Sequence, residues 1–248
     1  MIIALAQINP QAGLVATNIK LHTSFIEEAA KLKANAVFFS ELSLTSYEPQ
    51  IAAELAFTLQ DKRLQIFQAL SEEYDLTIGL GIPLRKEQRV EIAMAIFQAG
   101  KDIQSYTKQF LHVDEEPFFE SGNEQVYIHT GGIQLAPAIC YESLLPMHAQ
   151  VAVEGGSDIY LASVAKPENG YQKAAKYFPR LSKTYKMPVL MVNAIGPSDN
   201  FMAVGKTSAW SPQGELVGQL PSKQEGILLV EWQAAQAKLI ATAHTFDK

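Results

Sequence analysis

Apolar and polar positions along this chain follow two periods. Short apolar runs bounded by turn residues read as buried strands, and apolar residues three and four apart read as amphipathic helices. The opening run MIIALAQIN is a strand. From Asn18, NIKLHTSFIEEAAKLK sets Leu21, Phe25, Ala29 and Leu32 on one helical face. Its basic close suits the negative end of a helix dipole. AVFFSEL then reads as a buried strand, followed by a helix over 64–74 and the strands LTIGLGIP and EIAMAIFQAG. The turn Gly100-Lys101-Asp102 makes IQSYTKQF a hairpin partner for the last of these.

The second half repeats the alternation. IQLAPAICY and DIYLASVA are strands with a helix between them, and the helical YQKAAKYFPRLSKTY leads into the strand PVLMVNAIG. GKTSAWSPQGELVGQL and EGILLVEW supply the last strands, around a Pro-Gln-Gly turn. No linker, repeat or low-complexity tract divides the chain, so the pattern predicts one α/β domain over 1–248. Hairpins mixed with strand–helix–strand units require a mixed sheet or two packed sheets.

Composition narrows the classes. With 48% hydrophobic and 19% charged residues, a chain of 248 residues can bury a sizeable core. A net charge of −6 argues against a nucleic-acid partner. No apolar run approaches the roughly 18 residues of a membrane span, so no membrane partner is expected. The N-terminus lacks a basic region before its apolar residues and reads as a first strand, not a signal peptide. The single cysteine excludes an internal disulfide framework and points to the cytoplasm. The histidines at 22, 112, 129, 148 and 244 show no metal-ligand spacing. Gly79-Leu80-Gly81 lacks the further glycine and helix start of a dinucleotide loop. Neither a metal site nor a dinucleotide loop is therefore expected.

Three polar residues change the picture. Glu41 ends AVFFSEL, Lys108 lies between Tyr106 and Phe110, and Cys140 follows the apolar IQLAPAI. Each alone has an ordinary reading: a glutamate turned to water, a lysine laying its stem over the core, a small buried hydrophobe. Together they sit at the carboxyl ends of three separate strands, the edge where functional groups gather in sheet-based enzymes. A thiol needs a base or a positive charge beside it to attack. A carboxylate can take its proton, and an ammonium can hold charge on a substrate oxygen. Histidine pairing is the alternative, with His112 and His148 nearest in sequence, but neither sits in a cysteine-protease context.

Glu41 in FFSELSLTSY, Lys108 in YTKQFLH and Cys140 in PAICYES resemble the Glu-Lys-Cys triad of the nitrilase, or carbon–nitrogen hydrolase, superfamily. LAQINPQAGLVATNI is similar to its opening strand and helix entry, and GKTSAWSPQGELVG to its late hairpin. The resemblance implies a four-layer α-β-β-α sandwich of two mixed sheets, commonly dimerised, so a homodimer or higher homo-oligomer is expected. It implies hydrolysis or transfer at non-peptide carbon–nitrogen bonds, here through a cysteine thioester, without metal or organic cofactor. DEEPFFESG resembles the segment carrying a second glutamate that supports the lysine, which places that glutamate at Glu115, with Glu116 if the register slips by one.

The expected substrate is a small amide or an N-carbamoyl amine. The oxyanion falls to Lys108 and the backbone N–H of Tyr141, and Tyr47 and Glu142 are candidates to line the pocket. A carboxylate at Glu142 would favour an amine-bearing substrate, unless it pairs within the scaffold. Lys166 would select an acid-bearing amide, unless it lies on a solvated loop. The chain departs from the usual family pattern at Ser143-Leu144-Leu145-Pro146, Val164-Ala165-Lys166-Pro167 and Arg180-Leu181-Ser182-Lys183-Thr184. A nitrilase proper and a non-catalytic binding or scaffold protein on the same fold are the competing readings.

Overall fold

The computed structural model describes residues 1–246. The first half runs β1 (Ile2–Gln7), α1 (Val15–Lys31), β2 (Ala36–Phe38), α2 (Pro49–Leu55), α3 (Gln65–Tyr74), β3 (Thr77–Lys86), β4 (Arg89–Phe97) and β5 (Gln104–Thr107). Next come β6 (Ile128–Thr130), β7 (Ile133–Ile139), α4 (Pro146–Glu154), β8 (Ile159–Val164), α5 (Glu168–Tyr185) and β9 (Val189–Asn193). The chain continues through β10 (Ile195–Ser198), β11 (Phe201–Val204), β12 (Ser208–Trp210) and β13 (Leu216–Gln219), then β14 (Gly226–Gln233) and β15 (Lys238–Thr245).

These strands form two large mixed sheets. The first has seven strands in the order β15-β14-β1-β2-β3-β4-β5, and the second has six in the order β13-β12-β9-β8-β7-β6. β10 and β11 make a separate ribbon. Side chains alternate across each strand, and the alternation decides the layers. In β1, Ile3 and Leu5 face the second sheet, where they join Phe38, Ile92, Leu135, Ile139, Leu161 and Leu190. Ala4 and Ala6 face the other way, onto Phe25, Ile26 and Ala29 of α1 and Phe67 of α3. On the far side, Ala138, Tyr160 and Ala162 pack under Tyr171, Ala174 and Phe178 of α5. The result is the expected order of four layers, helices–sheet–sheet–helices.

Two features bring the strand ends together. β1, β2 and β3 run parallel, and β5, antiparallel to β4, has their direction again. The carboxyl ends of β2 and β5 therefore share one edge. In the facing sheet β7, β8 and β9 are parallel and end together. Polar side chains tie the two sheets. Ser163 Oγ donates to the carbonyl of Phe39 at 2.8 Å, and the buried Gln7 amide oxygen accepts the Thr207 N–H at 2.9 Å.

Several elements differ from the sequence expectation. The strand expected over AVFFSEL stops at Phe38, because Leu42 takes a left-handed φ of 48° and turns the chain out of the ladder. Glu41 thus sits in a tight loop rather than on the strand. α1 begins three residues before Asn18, at Val15. The short α2, opened by Pro49 in its first turn, and the edge strand β15, half exposed and paired only with β14, carry too weak a pattern to be read from the sequence.

Gly81 in β3 allows the Glu41 loop to lie where it does. A Cβ there would collide with the backbone of Ser40 and Leu42. The loop is pinned against β3 by the Leu44 N–H on the Gly81 carbonyl (3.0 Å) and by Ser43 Oγ, which accepts the Gly81 N–H at 3.1 Å. The buried His22 completes this brace. Its Nδ1 faces the Asn18 carbonyl, an acceptor only, so Nδ1 carries the proton and Nε2 accepts from Ser43 (2.9 Å). Burial holds His22 neutral, its pKa lowered to about 4. Gly81→Ala should therefore cost about 1–3 kcal/mol in urea unfolding, through overpacking against backbone that cannot yield cheaply. It should also slow Cys140 chemistry by displacing Glu41.

Candidate active site

Lys108 is the first residue beyond β5, Glu41 the third beyond β2, and Cys140 the first beyond β7. The three meet where the two sheets face each other. Lys108 is fully buried, and its Nζ donates to Glu41 Oε1 at 2.8 Å and to Glu115 Oε1 at 2.7 Å. Burial alone would strip the ammonium of its proton. The Glu41 and Glu115 carboxylates outweigh that and hold its pKa above the ordinary value. Glu41 shows the opposite balance. Burial raises its pKa, Lys108 pulls it down, Glu115 pushes it up again, and the Cys140 thiol adds a stabilising hydrogen bond. Its Oε2 is buried without a conventional partner, a free lone pair at the centre of the site.

Glu115, not Glu116, reaches the lysine. Glu116 is exposed, while Glu115 is buried and held from three sides. Its Oε1 also accepts the Tyr47 hydroxyl at 3.0 Å, and its Oε2 accepts the His112 backbone N–H at 2.8 Å. The glycine closing this segment is needed too. The Gly122 N–H returns to the Lys108 carbonyl at 2.8 Å, and a Cβ at Gly122 would run into Thr107.

Cys140 stands on a sharp turn between β7 and a short 3₁₀ segment over Glu142–Leu144, with a φ of 48°. A non-glycine residue in the left-handed region is strained by roughly 1–3 kcal/mol, and such strain gathers at functional sites. The turn is held by the Cys140 N–H on the Ser163 carbonyl (3.0 Å) and by Ser143 Oγ on the Cys140 carbonyl (2.5 Å). The backbone N–H of Tyr141 has no acceptor among the described residues. Burial and the Glu41 charge push the thiol up to about 11, against the pull of Lys166 and Lys108. The resting sulfur is therefore protonated and needs a base.

Of the expected pocket residues, Glu142 is a correction. It is wholly buried, and donors take both its oxygens. Oε1 accepts the Tyr106 hydroxyl (2.6 Å) and the Ile139 N–H (2.7 Å), and Oε2 accepts the backbone N–H groups of Gln109 (2.7 Å) and Phe110 (3.1 Å). No lone pair is left for a substrate amine. Glu142 instead locks the segment after Lys108 to the strand before Cys140, and burial lifts its pKa to about 7 despite these donors. Tyr47 lies within the site, but its hydroxyl is committed to Glu115. The Tyr141 side chain is half-exposed, with its ring edge-on to His112 at 5.3 Å.

The histidines take no part in the cluster. His148 is buried with its Nε2 on Tyr106 (2.7 Å) and its Nδ1 on Tyr160 (2.8 Å), and burial lowers its pKa to about 4. His112 is exposed beside Asp114. Among the described residues no group of acids, histidines and cysteine is arranged to hold a metal ion. Sequence reasoning left Lys166 undecided between pocket and solvent. It is 5% exposed, with its Nζ 3.7 Å from Cys140 Sγ and 3.3 Å from the Cys140 carbonyl. The signal in the sequence was its place two residues past a buried strand.

Comparisons agree with this architecture. The family model described as carbon-nitrogen hydrolase matches residues 2–242. A glutamine-dependent NAD(+) synthetase from Aquifex aeolicus (strain VF5) is 26% identical over 245 residues, which is 95% of this chain and 43% of that protein. The chain spans about half the length of the curated relatives it matches. Among solved structures, glutamine-dependent NAD+ synthetase from Acinetobacter baumannii superposes with a TM-score of 0.87 at 21% identity, over 97% of this chain and 47% of that one. A mutant amidase from Nesterenkonia sp. AN1, carrying the acetamide moiety of fluoroacetamide on its active-site cysteine, gives 0.86 at 20% identity, over 96% and 92% of the two chains.

The buried charges predict a stability effect. Lys108→Met leaves two adjacent carboxylates without their shared cation and should cost about 3–5 kcal/mol in urea unfolding. Adding Glu115→Gln should recover part of that loss. Equal midpoints for the single and double variants would show that the two acids do not share the ammonium.

Proposed function

The chain belongs to the carbon–nitrogen hydrolase family, and we propose that within it the protein is an amidase acting on a small amide through a thioester on Cys140. The observation that carries the proposal is the buried Lys108 ammonium between Glu41 and Glu115, beside a sulfur held in a strained turn. In this reading Glu41 takes the thiol proton as the sulfur attacks the amide carbon. Its raised pKa suits that role, since a carboxyl nearer neutrality both accepts and returns a proton. The Lys108 ammonium and the Tyr141 N–H receive the negative charge that develops on the carbonyl oxygen.

Collapse of the adduct breaks the C–N bond, and Glu41 gives its proton to the departing ammonia or amine. A water then enters, Glu41 takes one of its protons, and hydroxide adds to the thioester carbon. The C–S bond breaks, the acid leaves, and the proton returns to sulfur. Glu115 and Tyr47 act through Lys108, which they keep charged and aimed.

Commitment of Glu142 to the scaffold removes the reason to favour an amine-bearing substrate such as an N-carbamoyl amine. Glutamine deserves a place in the substrate panel for a separate reason. It is itself a primary amide, and the matched NAD(+) synthetases from several bacteria are glutamine-dependent.

The test is intact mass after mixing the protein with a panel of small amides, glutamine and N-carbamoyl amines. The wild-type chain should gain the mass of one acyl group and release ammonia. Cys140→Ala should gain none, lose turnover by several orders of magnitude and unfold at a similar urea concentration. Full turnover by Cys140→Ala would overturn the proposal, and an inert thiol across the panel would favour a binding protein on this fold.

A further inference from the structure

Lys166 lies two residues beyond β8, on the same sheet edge as Cys140. Its backbone is clamped by the fully buried Asn193 at the end of β9. The Lys166 N–H donates to Asn193 Oδ1 at 2.8 Å, and the Lys166 carbonyl accepts from Asn193 Nδ2 at 3.2 Å and from the Val204 N–H at 3.1 Å. Asn193 Nδ2 also donates to the Gly205 carbonyl at 2.7 Å. The side chain is nearly as buried as Glu41 and Lys108, yet among the described residues no carboxylate pairs with its Nζ. The neighbours of that ammonium are the Cys140 carbonyl and the Cys140 sulfur. An ammonium taken out of water without a counter-ion is expensive, and negative charge on the adjacent sulfur would offset that cost.

We propose that Lys166 is a second catalytic ammonium, which holds negative charge on the Cys140 sulfur while Lys108 serves the substrate oxygen. The inference rests on the reading of Cys140 as nucleophile. In the first half-reaction the S–H bond breaks, the proton passes to Glu41, and the electron pair left on sulfur forms the S–C bond. In the second half-reaction the S–C bond breaks and the pair returns to sulfur beside Lys166, before Glu41 restores the proton. Both moments place a thiolate 3.7 Å from Nζ.

The charged groups around the sulfur divide accordingly. From the first sheet come Glu41, Lys108 and Glu115, with the Tyr47 hydroxyl bound to Glu115. From the second come Lys166 and the exposed Tyr141, whose ring meets the first sheet's His112 edge-on at 5.3 Å, while Glu142 is sequestered behind the turn. Lys108 is shared between two carboxylates, and among the described residues Lys166 pairs with none. Of the two cations, Lys166 pulls harder on the thiol's titration.

Alkylation of Cys140, the sole cysteine, reads this without any substrate. The rate with iodoacetamide is measured from pH 6 to 11 for the wild type, Lys166→Met, Lys166→Gln and Lys166→Arg, with folding checked by circular dichroism. Removing a cation raises a thiol's pKa, so the Lys166→Met profile should move up by about one pH unit and its rate at pH 8 should fall about tenfold. Lys166→Gln keeps a donor for the Cys140 carbonyl without the charge and should be as slow. Lys166→Arg should return to within about threefold of wild type. A wild-type profile in Lys166→Met or Lys166→Gln overturns the proposal and leaves Lys166 as a cap on the carbonyl. A loss confined to anionic iodoacetate, with iodoacetamide unchanged, overturns it in favour of a dock for substrate anions. Retained turnover in Cys140→Ala would instead remove the nucleophile, with the alkylation result unaffected.

Discussion

One ammonium between two carboxylates, all three cut off from water, is the constraint around which the candidate site is arranged. Each of these charges would be intolerable alone in that position. Together they are neutralised only if three chain segments far apart in sequence arrive within hydrogen-bond distance. Lys108 enters from β5, Glu41 from the loop after β2, and Glu115 from a turn that doubles back on the lysine. Much of the local structure can be traced to this demand. Gly81 clears space for one loop, Gly122 for another, and a neutral His22 pins Ser43 beneath the first. Burial raises the Glu41 pKa against the pull of Lys108, and the nearby Glu115 adds to the rise.

The second sheet brings the sulfur to this cluster by different means. β7 ends in a turn that puts Cys140 at a φ of 48°, and the energy of that conformation must come from the contacts around it. Ser163 and Ser143 hold the turn through its backbone. Ser163 also spans to Phe39, just before the Glu41 loop, so the inter-sheet tie lies next to the cluster it aligns.

Much of this was legible in the sequence, for identifiable reasons. The strands that build the two sheet interiors carry continuous apolar runs, and their alternation survives burial on both faces, as in β1 and β3. The triad positions could be read because each lies at or just past the end of such a run. What stayed hidden depended on contacts rather than pattern. A buried glutamate close to a strand-end cysteine looks the same in sequence whether it faces a substrate or four scaffold donors, and Glu142 proved to be the second. Lys166 was ambiguous for the same reason, since its surroundings are set by Asn193 and the Cys140 turn rather than by its neighbours in the chain. The edge strand β15, half in water, shows only a faint alternation, and the left-handed residue at Leu42 that shortens β2 has no glycine to announce it.

The Glu142 carboxylate has a mechanical corollary. Because one side chain grips both the segment after Lys108 and the strand before Cys140, the ammonium and the sulfur behave as parts of one rigid jig. Neither can shift toward an ill-fitting guest without dragging the other out of line. Tolerance for guests of different shape must then reside at the rim, around Tyr141 and His112, where the side chains are exposed.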